Sequence, residues 1–119
     1  MTVTPDVTAE RIGSGDMPVL ATPAMLALME NAAMEAARPL LEEGQTTVGG
    51  QIASTHLKPS PVGAEVTATA TLTAREGKKL SFRVEARMGD VLIGEGTHLR
   101  FVVEREKFLA KESLSPALP

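Results

Sequence analysis

The chain has 119 residues, which suits a single domain over residues 1–119, with a net charge of −3 and 43% hydrophobic residues. No basic cluster is present, and neither Trp nor Tyr, which argues against a nucleic-acid partner. The absence of cysteine excludes disulfides and thiolate chemistry, and two separated histidines make a metal site a poor expectation. No apolar run is long enough for a membrane span and no apolar leader opens the chain, so the cytoplasm is the expected location.

In chain order, Val3, Val7 and Ile12 offer one short strand before a Gly-Ser-Gly-Asp turn at 13–16. A helix is predicted from Pro23 to Glu43. Thr22 is its candidate N-cap and Pro23 suits its first position, while Pro39 is placed to kink or end it and Gly44 to cap it. The small side chains of Ala32, Ala33, Ala36 and Ala37 suit a helix packed closely on a sheet. Its polar stripe is Asn31, Glu35, Arg38 and Glu42. Glu30 lies roughly 110° from that stripe, with Leu26, Ala27, Ala33 and Met34 as its turn neighbours. A carboxylate there either reaches solvent past an apolar edge or is set for chemistry, and desolvation by Met and Leu suits a general base or nucleophile.

Thr46–Leu57 reads as a strand with Gly49-Gly50 near its start, followed by a turn over Pro59–Gly63. Period-two alternation then puts Val66, Ala68, Ala70 and Leu72 on one face and four threonines on the other. Arg75–Lys78 forms a hairpin turn into a second alternating strand, Leu80, Phe82, Val84 and Ala86, and Met88–Asp90 turns the chain again. A last strand is predicted over Val91–Val103, where Gly94 and Gly96 allow a bend or close approach. Glu104–Pro119 reads as polar, Pro-ended tail that frays. The sum is an α+β layer fold, one long helix across a curved antiparallel sheet.

His56 shares a strand face with Ile52 and Ser54, and a lone half-buried histidine is more often structural than catalytic. His98, which follows Gly94 and Gly96 on one face beside Arg100, reads as structural. Gly49 and Gly50 permit a bulge, or let a substrate carbonyl approach backbone N–H groups. No P-loop, Rossmann fingerprint or Gly-x-Ser-x-Gly elbow is present.

Ala21-Thr22, Leu28-Met29-Glu30, Gly49, Ser54-Thr55-His56, Gly96-Thr97-His98-Leu99-Arg100 and Lys107-Phe108 occur in an order and spacing that resembles the hotdog-fold acyl-CoA thioesterases, specifically the fluoroacetyl-CoA thioesterase-like family. The resemblance covers residues 17–112. It implies a hotdog fold, hydrolysis of a small or medium acyl-CoA to free acid and CoA, and catalytic roles for Thr22, Glu30 and His56. It places Gly49 near the substrate carbonyl and makes Arg100 a substrate-binding residue, through a CoA phosphate or a substrate carboxylate, unless Arg100 is a solvated strand charge. It implies no cofactor beyond CoA as part of the substrate, and a homodimer or higher homo-oligomer with the site at the subunit boundary. The family's fluoroacetyl-specific enzyme has a phenylalanine lid before the helix, whereas Met17-Pro18-Val19-Leu20 holds no aromatic residue, so the acyl group is not implied. The alternatives are a non-catalytic acyl-CoA-binding module and, further off, a hotdog hydratase.

Overall fold

The computed structural model describes residues 1–113, with side chains through Lys111. Helix α1 covers Ala9–Ile12, α2 Thr22–Ala37 and α3 Arg105–Ser113; strands β1 Gln45–His56, β2 Val66–Glu76, β3 Lys79–Met88 and β4 Val91–Glu104 form one sheet. Its order is β1-β4-β3-β2, every neighbour antiparallel. Two-residue loops, Gly77-Lys78 and Gly89-Asp90, join β2 to β3 and β3 to β4.

Helix α2 packs across all four strands. It buries Met25, Met29, Ala33 and Ala37, a stripe at every fourth residue, against Leu80, Phe82, Val84 and Ala86 of β3. Each large side chain fully removed from water there contributes roughly 1.5–3 kcal/mol. The contact is close because Gly94 has no side chain: a Cβ there would lie 2.5 Å from Met25 Sδ.

The long α-helix ends six residues before the predicted Glu43. Pro39 has no N–H to continue the ladder, and Arg38–Leu40 tighten into a 3-10 turn. The N-terminal strand is also replaced. Val7 ends a 3-10 turn and Ile12 ends α1, leaving isolated bridges, Thr2 to Glu65 and Thr8 to Leu20, where a ladder was expected. The Thr8 side chain caps α1 by accepting from Arg11 N–H. At the other end, Arg105–Ser113 is helical where fraying was expected; the rest of that tail, 114–119, lies outside the described residues. Among the described residues no helix is long and apolar enough to cross a membrane.

Candidate active site

One irregularity in β1 sets the site. The register with β4 runs Gly49 to Arg100 and then Gln51 to Leu99, so Gly50 is an extra residue. Side chains alternate faces along a strand, and one inserted residue flips the alternation. Thr47 and Gly49 before the bulge therefore face α2, and so do Ile52, Ser54 and His56 after it. Gly50 is turned to the opposite face, where the Phe101 ring occupies the space a Cβ would need.

At the far end of β1, His56 Nδ1 lies 2.8 Å from Thr22 Oγ1. The expected N-cap role for Thr22 is corrected here: Ala21 is the N-cap residue, without a side-chain capping bond, and Thr22 is already helical. Its hydroxyl is thus free to meet the imidazole, which the strand brings back from 34 residues along the chain. His56 Nε2 is buried and has no hydrogen-bond partner among the described residues. Burial holds the imidazole below its ordinary pKa of 6.5, with the Lys58 backbone pulling the other way. The pair lines an open cavity of about 290 Å³ whose walls include Val19, Leu20, Leu57 and Lys58.

Glu30 lies eight residues further along α2, about 12 Å up the helix at 1.5 Å per residue. It shares an open cavity of about 320 Å³ with Ala27, Asn31, Met34, Gly49 and Arg100. An ideal Cβ at Gly49 would stand 3.1 Å from Glu30 Oε2, 3.4 Å from His98 Cε1 and 3.5 Å from Arg100 Nη1, so the missing side chain leaves a window through which the three groups face one another.

Arg100 is not a solvated strand charge: it is only 7% exposed. Its Nε donates to Thr47 Oγ1 at 2.8 Å, its Nη2 to the Thr47 carbonyl at 3.0 Å, and its Nη1 lies 3.2 Å from His98 Nε2. Desolvation lowers the guanidinium pKa, while the charge of Glu30 opposes that shift. The surroundings of Glu30 are thus cationic as well as apolar.

The five expected site residues therefore fall into two groups within one chain, Thr22 with His56 and Glu30 with Gly49 and Arg100. Thr47 was missed; its sign in the sequence is a polar residue two positions before Gly49, on the same strand face. Among the described residues no group of three or more His, Cys, Asp or Glu is placed to hold a metal ion.

This sheet and helix are those of the hotdog thioesterases. A Thermus thermophilus protein described as a thioesterase superfamily member superposes with a TM-score of 0.88 at 31% identity, over 96% of this chain and 85% of its own. Residues 3–106 match the family of the fluoroacetyl-CoA-specific thioesterase FlK, and the chain belongs to that family. The fluoroacetyl-CoA thioesterase of Streptantibioticus cattleyicolor is 47% identical over 93 residues, 78% of this chain and 67% of the relative. A solved structure of the fluoroacetyl-CoA thioesterase FlK superposes with a TM-score of 0.88 at 40% identity, over 97% of this chain and 90% of that one.

Proposed function

We propose that the two groups of side chains act together on an acyl-CoA thioester, across the boundary between two copies of the chain. Hydrolysis of an acyl-CoA to free acid and CoA is the activity of this enzyme; the residue roles and the assembly are the proposal. The observation that carries it is the hydroxyl–imidazole pair at an open cavity, about two helical turns from the only carboxylate that faces a buried cation among the site residues. Thr22, which holds His56, stands about 12 Å along the helix from Glu30, too far for the pair and the carboxylate of one chain to serve one carbonyl carbon. Two chains joined edge to edge would bring Glu30 of each to Thr22 and His56 of the other.

In the reaction, Glu30 takes a proton from a water that adds to the thioester carbonyl carbon, and the C–S bond breaks to give the acid and the CoA thiolate; or Glu30 itself adds, the C–S bond breaks to leave an acyl–Glu30 anhydride, and water then cleaves that anhydride to the acid and restores the carboxylate. By either route the proton that water gives up ends on the CoA thiolate, relayed by the neutral His56 and the Thr22 hydroxyl. The Gly49 N–H, at the bulge, supports the developing oxyanion, and Arg100 binds the substrate beside it. No cofactor is needed beyond the CoA of the substrate, and we place the enzyme in the cytoplasm as a homodimer.

Thiol release from a panel of acyl-CoAs, alongside light scattering over a concentration series, tests the reading. Turnover that falls as the assembly dissociates is expected. A monomer that hydrolyses acyl-CoA at full rate would contradict the shared site, and saturable binding without thiol release would leave a binding module.

A further inference from the structure

His98 has no place in the reaction as described, yet it is a polar side chain only 1% exposed, on the sheet face that packs against α2. Its two ring nitrogens have different partners. Nδ1 is 2.7 Å from the Gln51 carbonyl on β1, and Nε2 is 3.2 Å from Arg100 Nη1. A carbonyl oxygen only accepts, so the proton sits on Nδ1. Nε2 then carries a lone pair, and a guanidinium only donates, so Arg100 Nη1–H donates to it. Both bonds are made at once by the neutral Nδ1–H tautomer alone: the other tautomer turns a donor on the guanidinium and a lone pair on the carbonyl.

Without an acceptor at that point, Nη1 would have a buried donor unsatisfied, and the guanidinium would be held only from the Thr47 side. The ring edge of His98 and Nη1 also border the window left by Gly49, through which Glu30 faces them. We propose that His98 is a positioning residue, which ties β1 through the Gln51 carbonyl and uses its Nε2 lone pair to aim the Arg100 guanidinium at the Glu30 carboxylate and the substrate beside it. The inference rests on the assignment of Glu30 and Arg100 to the site.

Two amide variants separate the two bonds. His98→Asn keeps a donor near Nδ1 for Gln51 and loses the acceptor for Arg100; His98→Gln keeps an acceptor near Nε2 and loses the donor. We expect kcat of the Asn variant to fall by about tenfold or more with little change in KM, and the Gln variant to recover most of it. Equal losses in the two, or a greater loss in Gln, would overturn the proposal, because a purely structural histidine depends on the bond to β1. Nitrogen-15 NMR of the imidazoles in the unmodified enzyme gives a second, activity-free readout. A protonated Nδ1 and a bare Nε2 on His98 are expected near pH 7, and an Nε2–H tautomer or an imidazolium would contradict the bond to Arg100. If Glu30→Gln keeps full turnover, the assignment of Glu30 fails, and the NMR result still decides how His98 is held.

Discussion

At the start of α2, Thr22 and His56 meet at the rim of a cavity, with the Thr22 side chain exposed and one imidazole nitrogen without a partner among the described residues. About two turns later Glu30 faces a buried guanidinium whose three nitrogens are each held by protein, Nε and Nη2 by Thr47 and Nη1 by His98, with Nη1 also bordering the space at Gly49 that Glu30 faces. The first group is free to exchange a proton with whatever enters. The second fixes charge in place, since a buried network with its partners satisfied is rigid and expensive to rearrange. A helix and a single bulged strand carry both, and the bulge at Gly50 is what turns Thr47, Gly49 and His56 to one face.

Removing the charge at the fixed end is expected to have the largest effect. Glu30→Gln keeps the shape of a half-buried side chain, so the fold should persist while thiol release falls by roughly 10²–10⁴. A folded Glu30→Gln protein with near-normal turnover would remove Glu30 from the mechanism.

At the exchanging end, His56→Ala should lower kcat by on the order of 10² with a smaller change in KM. The pH profile sharpens this. The imidazole is held below 6.5, so kcat/KM should stay level through neutral pH and fall only below that value, and the acid limb should vanish in His56→Ala. Stability has the same sign: the unfolded imidazole binds a proton more readily than the folded one, so the neutral group's contribution is present above pH 6.5 and is lost as pH drops through the lower folded value. Thermal melts from pH 7 to 5 in the parent and the variant check this, and an unchanged difference between them would contradict it.

Gly49→Ala probes the window between the groups. A methyl 3.1 Å from Glu30 Oε2 and 3.5 Å from Arg100 Nη1 requires shifts of a few tenths of an ångström, so we expect about a tenfold loss of kcat with a melting temperature within a few degrees of the parent. Full activity would show that the close approach at Gly49 is not used.

Much of this was legible before the structure. Four strands, their hairpins and the helix follow from alternation and turn residues, because local pattern dictates them. Glu30 stood out because a charge off the polar stripe breaks a local rule. What was illegible is tertiary. Thr22 carries a capping residue's signature, and only the return of β1 reveals that its hydroxyl belongs to His56 instead. His98 and Arg100 sit at alternate positions of a strand face lined with glycines, but nothing local says that the guanidinium would be buried against Thr47, 53 residues away in sequence. The N-terminal segment failed as a strand because its contacts with Glu65 and Leu20 are single bridges, which no periodicity announces.

The smallest effect tests that reassignment of Thr22. Thr22→Ala removes no capping bond, so its cost in stability should stay below the ~1 kcal/mol of a lost N-cap, while kcat falls. Denaturant melts beside rate measurements separate the two, and a loss of 1 kcal/mol or more would restore the capping role.

The shared site is tested most directly by mixing the two inactive variants. Glu30→Gln and His56→Ala chains are combined, dissociated and reassembled, and thiol release is measured. If each site takes Glu30 from one chain and His56 from the other, a mixed dimer holds one site with both groups intact and one with neither. Random pairing then restores up to about a quarter of the parent activity. If every site is built within one chain, no pairing of the variants contains an intact site, and a mixture no more active than its components would contradict the account.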